Sequence, residues 1–299
     1  MIPYKKSVQT MSFLAVHPTP KKPNFNLPPK ACDAHCHVFG PGDRFPYAPE
    51  RKYTPIDAPK EQLFALHKHL GFERSVLVQA SCHGTDNSAM IDMLEASEGR
   101  YRGVAVVGDD LTAQEVERMH AAGVRGIRFN FVKRLVDIKP TAFYKRMAQM
   151  IAPFGWHIIV YFESQELIEI EELLWAIPTP IAIDHMGRPD VTLGMDHPDF
   201  QRICNLVRNR PDTWIKVGCL ERLTHEAPPY NDVIPYARYF VENFPEQVLW
   251  GTDWPHPNMT THMPDDGALV DTIPKIAPTA ELQQKLLVDN PARLYGFED

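Results

Sequence analysis

Eight short apolar segments recur along the chain, and a segment with helical spacing follows most of them. The apolar segments are KACDAHCHV, RSVLVQA, YRGVAVVG, GVRGIRFNF, WHIIVYF, TPIAIDH, TWIKVGCL and QVLWGTD. Strands that are apolar on both faces and alternate with helices predict a parallel sheet that is covered on both sides. About eight such units in roughly 270 residues favour an α/β fold of the (β/α)8 TIM barrel type.

The alternative fold is a doubly wound sheet, but the first strand is not followed by the glycine-rich phosphate loop that a nucleotide-binding sheet would need. Residues 1–29 are rich in Lys and Pro and have no periodicity, which predicts an N-terminal arm. Residues 30–299 are predicted to form a single catalytic barrel domain. Its last two helices cover DDGALVDTIPKIA and TAELQQKLLVDNPARLYG, with Asn and Pro as their stop signals.

Composition narrows the class of protein. The chain has 299 residues, of which 44% are hydrophobic and 23% charged, as in globular proteins with a large core. The net charge of −7 argues against nucleic acid or an anionic membrane as partner. The apolar runs are shorter than the roughly 18 residues of a membrane span. Five cysteines without a CxxC pair suggest reduced thiols and a cytoplasmic protein. The oligomeric state is not readable from the sequence.

Chemically capable side chains collect where the predicted strands end. In a parallel barrel the active site lies at the carboxyl ends of the strands. Those ends carry His35 and His37, then Gln79, Ser81 and His83, then Arg128, Tyr161 and Glu163, Asp184 and His185, and finally Asp253. Because strand residues two apart face the same side, Asp33, His35 and His37 are expected to share one face, while Cys36 points to the helix layer.

Each of these residues also has an ordinary structural interpretation. A single histidine at a strand end is usually a surface or hydrogen-bonded residue, whereas two histidines at i and i+2 suggest a metal site. Asp253 could cap a turn, but its place directly after the last strand favours a catalytic role. Packing is the expected role of Trp250 and Trp254. Four cysteines in apolar surroundings should be buried and inert: Cys36, Cys82, Cys204 and Cys219.

The set of His35, His37, His185 and Asp253 resembles the amidohydrolase superfamily. In most of its members, the resemblance implies, these residues hold one or two divalent metals that activate water. Two positions depart from that pattern: Arg128 stands where a bridging Lys often lies, and Tyr161-Phe162-Glu163 stands at the strand-five position that is often His. A guanidinium has no lone pair and would repel a cation, which argues against a two-metal site and less decisively against a single metal.

Longer stretches are similar to a narrower group, the 2-pyrone-4,6-dicarboxylate hydrolase family of lactonases. They include DAHCHVFGP, LVQASCHGTDN, RGIRFNFVKRLVD, IDHMGRPDV and WGTDWPHPNM, and the similarity runs from residue 31 to about residue 295. The resemblance implies a TIM barrel with no catalytic metal and no other cofactor. It also implies a small dicarboxylate lactone as substrate, which is opened to 4-oxalomesaconate (4-carboxy-2-hydroxymuconate) in the protocatechuate 4,5-cleavage pathway of lignin-derived aromatic catabolism.

Substrate-binding residues follow from the same comparison and from charge. Four arginines near the strand ends could trap an anion in an otherwise acidic protein: Arg128, Arg134, Arg188 and Arg222. The alternative for each is a pair with a nearby acid, such as Asp137, Asp190 or Glu221. Neutral hydrogen-bonding groups at positions that contact substrate in the family are Tyr53, Ser81, Tyr161 and Asn258.

The expected mechanism uses the good leaving group of a pyrone. Ring opening expels a conjugated enolate, so a metal is less necessary than for a simple ester. Asp253 would act as general base for water, while His35, His37 and His185 would give hydrogen bonds or positive charge to the carbonyl oxygen.

Two other functions stay open at this stage. One is a metal enzyme with a single Zn²⁺ or Mn²⁺ at His35, His37, His185 and Asp253, acting on another lactone or as a decarboxylase. The other is a non-catalytic barrel that binds aromatic dicarboxylates. Pure binding would not require a general base, so the presence of Asp253 with all three histidines argues against it.

Overall fold

The predicted barrel is present. The structure, a computed structural model, describes residues 13–226, 228–260 and 262–298. Within these residues eight parallel strands lie side by side in sequence order. They are β1 (Cys32–Cys36), β2 (Arg74–Val78), β3 (Tyr101–Ala105), β4 (Val124–Asn130), β5 (His157–Tyr161), β6 (Ile181–Ile183), β7 (Thr213–Lys216) and β8 (Val248–Leu249). Every predicted apolar segment therefore contains a strand.

Helices follow the strands and form the outer layer. The first seven are α1 (Lys60–Leu70), α2 (Ser88–Ala96), α3 (Ala113–Ala121), α4 (Thr141–Ile151), α5 (Leu167–Ala176), α6 (Pro198–Asn209) and α7 (Ile234–Asn243). Their apolar faces pack on the outside of the strands in one large core. None of the helices in the described ranges is long and apolar enough to cross a membrane.

The C-terminal helices differ from the prediction. The first predicted helix is divided into α8 (Asp266–Val270) and α9 (Ile273–Ile276), and the second into α10 (Ala280–Gln284) and α11 (Asn290–Tyr295), joined by a π-helical turn over 285–289. The stop at Asn and Pro is wrong, because Pro291 lies in the first turn of α11. A proline is tolerated there, since its missing N–H would have no helical partner anyway.

Backbone hydrogen bonds between the segment after β8 and β1 close the barrel. The Ala34 amide donates to the Trp250 carbonyl at 2.9 Å, and the Asp253 amide donates to the His35 carbonyl at 2.8 Å. Gly251 allows this approach, because a Cβ there would lie 2.4 Å from the His35 nitrogen. The closure places His35 and Asp253 next to each other.

The predicted common face of Asp33, His35 and His37 is wrong for Asp33. The pairing of β1 with β2 slips between Asp33 and Cys36, which inserts an extra residue as in a β-bulge. Asp33 therefore turns to the helix layer, where its carboxylate contacts His67 of α1 at 3.2 Å and accepts from the Thr252 hydroxyl at 2.6 Å. His35 remains on the inside of the barrel.

Apolar side chains fill the barrel below the site. The interior cluster contains Cys32, Ala34, Val76, Val78, Val104, Ile159, Ala182, Trp214, Leu249, Tyr295 and Phe297. Trp250 and Trp254 are buried in the outer core, which confirms their predicted packing role. The polar site therefore rests on a dry, close-packed base that fixes the strand ends.

The described part of the predicted N-terminal arm, residues 13–29, contains no helix or strand. It lies along α8: the Lys21 amide donates to Asp265 at 3.1 Å, and the amides of Asn24 and Phe25 donate to Asp271. The Leu14 amide then bonds the Met259 carbonyl at 2.9 Å in the loop after β8. Residues 1–12 lie outside the described residues, and the division into arm and catalytic domain stays a prediction.

Candidate active site

One pocket at the carboxyl ends of the strands brings together ten of the twelve predicted site residues. They are His37, Tyr53, Ser81, Arg128, Arg134, Tyr161, His185, Arg222, Asp253 and Asn258. Of the other two, His35 lies directly behind Asp253, and Arg188 lies against Tyr161, with its Nη1 3.3 Å from the phenol oxygen. A larger cavity beside α2 and α3 contains none of the twelve.

Asp253 is the centre of the pocket. Its Oδ2 accepts a hydrogen bond of 2.7 Å from Arg222 Nε. Its Oδ1 faces the Nε2 atoms of three imidazoles, at 3.1 Å for His37, 3.4 Å for His35 and 3.9 Å for His185. Burial opposes ionisation, but Arg222 and the hydrogen bond from His37 hold the pKa of Asp253 well below its usual range. Asp253 is therefore a carboxylate at neutral pH.

A second buried carboxylate, Asp184, lies behind the histidines. Its Oδ2 accepts two hydrogen bonds from Arg128, at 3.0 Å from Nε and 2.7 Å from Nη2, and its Oδ1 lies 3.3 Å from Lys216 Nζ. Burial opposes ionisation here too, but His35, Lys216 and Arg128 hold the pKa of Asp184 well below its usual range. The sequence prediction missed Lys216, and its only signal was a lysine within an apolar strand.

Two of the three histidines are neutral at pH 7. Burial and the nearby Lys216 lower the pKa of His35 to about 3. Burial, together with His35, lowers the pKa of His185 well below its usual range. Of the two expected forms of assistance, hydrogen bonds or positive charge, these rings can give only the hydrogen bond. His37 is oriented by the backbone, because its Nδ1 lies 2.6 Å from the Val78 carbonyl.

The arginines pair with acids, but not with the acids expected. Arg128 binds Asp184 and Arg222 binds Asp253. Arg134 and Arg188 both lie near Glu163, at 3.5 Å and 3.8 Å. The expected partners are engaged elsewhere: Asp137 with Lys52, Asp190 with the Thr192 backbone, and Glu221 with His256. The real partners are distant in sequence, and proximity along the chain could not identify them.

The pocket lining is electropositive. Among the described residues that line it, three carry a guanidinium, Arg128, Arg134 and Arg222, and one carries a carboxylate, Asp253. Arg128 also lies over the ring of Tyr161, 4.8 Å from its centroid, which fixes the plane of both groups. Asn130, at the end of β4, is a lining residue that the sequence prediction missed.

Strained backbone surrounds the pocket. His185, Cys219, Asp253 and Asn258 all have left-handed conformations, with φ of 51°, 67°, 65° and 67°. Such φ values cost non-glycine residues on the order of 1–3 kcal/mol each and persist only where the surrounding structure enforces them. Here they direct side chains from the loops after β6, β7 and β8 towards one point.

The geometry of the site, but not its charge, suits a metal ion. Ligand atoms of His35, His37 and Asp253 lie within 4.8 Å of one another, which is close enough for a divalent ion. The charges around them do not fit one. Each carboxylate already receives a guanidinium at 2.7 Å, and Lys216 Nζ lies 2.9 Å from His35 Nδ1. A divalent cation would be placed among three fixed positive charges.

Cysteine chemistry is not part of the site. All five cysteines are unpaired and buried. The predicted burial is confirmed, and it raises the pKa of Cys82 to about 12 and that of Cys204 to about 11, which disfavours the reactive thiolate. The predicted apolar surroundings are wrong for Cys219, whose Sγ lies 3.5 Å from both Glu221 Oε1 and Asp253 Oδ2.

A buried histidine supports the two loops that carry Arg222 and Asp253. His256 Nδ1 contacts Glu221 Oε1 at 3.2 Å, and its Nε2 contacts Asp266 Oδ1 at 2.9 Å. Burial alone would lower the pKa of His256, but Asp266 and Glu221 raise it to about 10. The ring is therefore an imidazolium that links the loop after β7 to the loop after β8 and to α8.

Comparison with known proteins identifies similar sequences and a similar fold. The amidohydrolase family model matches residues 32–297. The 2-pyrone-4,6-dicarboxylate hydrolase of Comamonas testosteroni is 55% identical over 97% of this chain and 98% of its own length. The 4-sulfomuconolactone hydrolase of Hydrogenophaga intermedia is 38% identical over 91% of this chain and 90% of its own. A crystal structure from Acinetobacter baumannii with citric acid bound has a TM-score of 0.79 at 27% identity, covering 90% of this chain and all of its own.

His256→Gln tests the loop support through pH. Because the folded-state pKa of about 10 exceeds the ordinary value of 6.5, the imidazolium contributes fully below pH 6.5, and its contribution is lost as the pH rises through 10. We expect the variant to be less stable by about 3–5 kcal/mol at pH 7, the usual cost of breaking a buried ion pair. The deficit should shrink towards pH 10 in urea unfolding, whereas a constant deficit would contradict the assignment.

Proposed function

The chain belongs to the amidohydrolase family, and from this membership we propose that it is a lactonase that hydrolyses 2-pyrone-4,6-dicarboxylate to 4-oxalomesaconate. The observation that carries the proposal is an ionised Asp253 at the centre of a pocket lined by three guanidinium groups. The C. testosteroni relative named for this lactone supports the choice of substrate, since it matches 97% of the chain.

Charge complementarity supports a dianionic substrate. The lining residues with fixed charge give three positive charges against one negative charge. A lactone with two carboxylates would bring two negative charges and make the assembly neutral. The planar guanidinium of Arg accepts a carboxylate through two parallel hydrogen bonds, so arginines also fix the orientation of a flat ring. Tyr53, Ser81, Tyr161 and Asn258 are proposed to complete the binding through neutral hydrogen bonds.

Hydrolysis is proposed to begin at Asp253. Its carboxylate takes a proton from a water molecule as the water oxygen attacks the lactone carbonyl carbon. The ring C–O bond then breaks, and its electron pair leaves on the ring oxygen as a conjugated enolate. Because such an enolate is a good leaving group, the step needs no Lewis acid. Arg222 keeps Asp253 ionised and oriented through its 2.7 Å contact.

The imidazoles are proposed to stabilise the developing oxyanion. His35 and His185 are neutral and can each donate one hydrogen bond. Fixed donors of this kind act most strongly in a buried site, where they need no reorganisation as charge develops. His37 is proposed to complete this group of donors, with its Nδ1 held by the Val78 carbonyl.

Related anionic lactones form the second candidate class of substrates. The H. intermedia relative is named for a sulfonated muconolactone, and it is 38% identical to this chain. A sulfonate has the same charge as a carboxylate and could occupy the same guanidinium groups. A metal-dependent lactonase or decarboxylase is disfavoured, because Arg222 occupies Asp253, the carboxylate of the predicted ligand set. Arg128 and Lys216 add positive charge at Asp184, behind the histidines.

We also propose a metabolic pathway and a cellular compartment for the reaction. The expected setting is the protocatechuate 4,5-cleavage pathway, in the cytoplasm. The support for a reducing compartment is that Cys32, Cys36, Cys82, Cys204 and Cys219 are all unpaired.

Asp253→Asn tests the catalytic proposal. We expect turnover of 2-pyrone-4,6-dicarboxylate, followed as loss of pyrone absorbance, to fall by more than about 10³-fold, since loss of a single oxyanion donor already costs about 10²–10³. The matched control is Asp196→Asn, an exposed aspartate that should leave the rate unchanged. Near-normal turnover by a folded Asp253→Asn protein would exclude the base assignment. If the natural protein does not hydrolyse 2-pyrone-4,6-dicarboxylate but does hydrolyse 4-sulfomuconolactone, its substrate belongs to the second class.

Arg134→Gln tests the anion pocket. Arg134 is half exposed at the mouth, and within the described ranges its one acidic partner is Glu163, at 3.5 Å, so its loss should not disturb the fold. We expect KM to rise by about 10–100-fold, the equivalent of one charge-assisted hydrogen bond, with little change in kcat. Lys133→Gln is the control, because this neighbouring cation binds Glu169 and lies outside the pocket. An unchanged KM in Arg134→Gln would contradict a role in substrate binding.

A further inference from the structure

Lys216 is a buried cation that the proposed reaction does not use. It is the last residue of β7 and is 1% exposed. Its Nζ lies 2.9 Å from His35 Nδ1 and 3.3 Å from Asp184 Oδ1. A buried lysine is costly unless it is paired and hydrogen-bonded, so both contacts matter to its stability.

His35 Nδ1 has two neighbours with opposite demands. Asp184 Oδ1, at 3.1 Å, can only accept a hydrogen bond, and the Lys216 ammonium can only donate one. A neutral imidazole carries one proton, so a bond to Asp184 would place it on Nδ1 and leave a lone pair on Nε2. A bond from Lys216 would make Nδ1 the acceptor and place the proton on Nε2. Each partner therefore selects a different tautomer of His35.

The contacts favour the Lys216-bonded form. Asp184 Oδ2 already receives two hydrogen bonds from Arg128, and the charge of Oδ1, which has no hydrogen-bond partner among the described residues, is balanced by the Lys216 ammonium at 3.3 Å. A proton on His35 Nδ1 would point at a second donor only 2.9 Å away, which is repulsive. We infer that Lys216 holds His35 in the tautomer that is protonated on Nε2, which makes the ring a hydrogen-bond donor in the site and prevents it from ligating a metal.

The other end of the ring is ready for this role. Among the described residues His35 Nε2 has no hydrogen-bond partner, although it is buried. Asp253 Oδ1 lies 3.4 Å away. An Nε2–H in this position can therefore donate a hydrogen bond to an incoming oxygen atom. His37 shows the contrast, because acceptors face both of its ring nitrogens: the Val78 carbonyl lies 2.6 Å from Nδ1 and Asp253 Oδ1 lies 3.1 Å from Nε2.

Lys216 is thus a positioning residue. Its expected influence on turnover rests on the proposed function. Its influence on the His35 tautomer and on metal affinity is independent of that function, because both are properties of the unliganded protein. Removing the ammonium would leave Asp184 as the only partner of Nδ1, and the proton would move there. His35 Nε2 would then offer a lone pair 3.4 Å from the carboxylate oxygen Asp253 Oδ1, and a neutral imidazole beside a carboxylate is a pair of ligands that zinc accepts.

The test reads the tautomer directly. In ¹⁵N-labelled natural protein, with His35 assigned from the His35→Gln spectrum, we expect the ring proton on Nε2. Lys216→Met should move it to Nδ1 and should retain about one Zn²⁺ per chain after dialysis against zinc chloride and then buffer, whereas the natural protein retains none. Lactone turnover should fall by about 10²–10³-fold. Lys216→Arg, which also offers only donors, should restore the Nε2–H tautomer.

Two results would overturn the inference. One is a ring proton on Nδ1 in the natural protein, a measurement that does not depend on any Lys216 variant folding. The other is a folded Lys216→Met protein with an unchanged tautomer and no zinc uptake. A natural protein with the expected tautomer but no lactonase activity would contradict the proposed function and leave the tautomer inference intact. The failure of one can therefore be distinguished from the failure of the other.

Discussion

Two ionised carboxylates inside the barrel, Asp184 and Asp253, impose the constraint on which the site depends. Burial alone would favour their neutral forms. They remain charged because cations from other strands and loops reach them: Arg128 and Lys216 at Asp184, and Arg222 at Asp253. The placement of these charges requires the closed barrel, since they come from β4, from β7 and from the segments that follow β6, β7 and β8.

The same cations give the pocket its chemistry. A site with this arrangement of histidines and aspartate can hold a metal when its surroundings are neutral or acidic. Here the surroundings are basic, and the positive charge that a metal would bring is already part of the polypeptide. The remaining positive potential suits an anionic substrate. In the proposed mechanism, arginine and lysine supply the positive charge that a metal ion would otherwise bring.

The sequence predicted the barrel and most of the pocket for simple reasons. Strands buried on both faces are visible as apolar runs, and parallel strands bring their carboxyl ends together, so residues such as His185 and Asp253 could be placed without coordinates. Features set by tertiary contacts were missed. A β-bulge turned Asp33 outward, Lys216 looked like an isolated polar residue in an apolar strand, and the acids that bind the arginines lie far away in sequence. Pro291 was expected to mark the end of a helix, but it lies in the first turn of α11.

The central claim is that the reaction runs on the charges of the protein itself. The most direct measurement is turnover of 2-pyrone-4,6-dicarboxylate before and after exhaustive chelation, with zinc and manganese content determined in the same samples. If the charges of the protein suffice, turnover per chain is equal in both samples and does not depend on their metal content. Turnover that disappears on chelation and returns with one equivalent of zinc or manganese would contradict it.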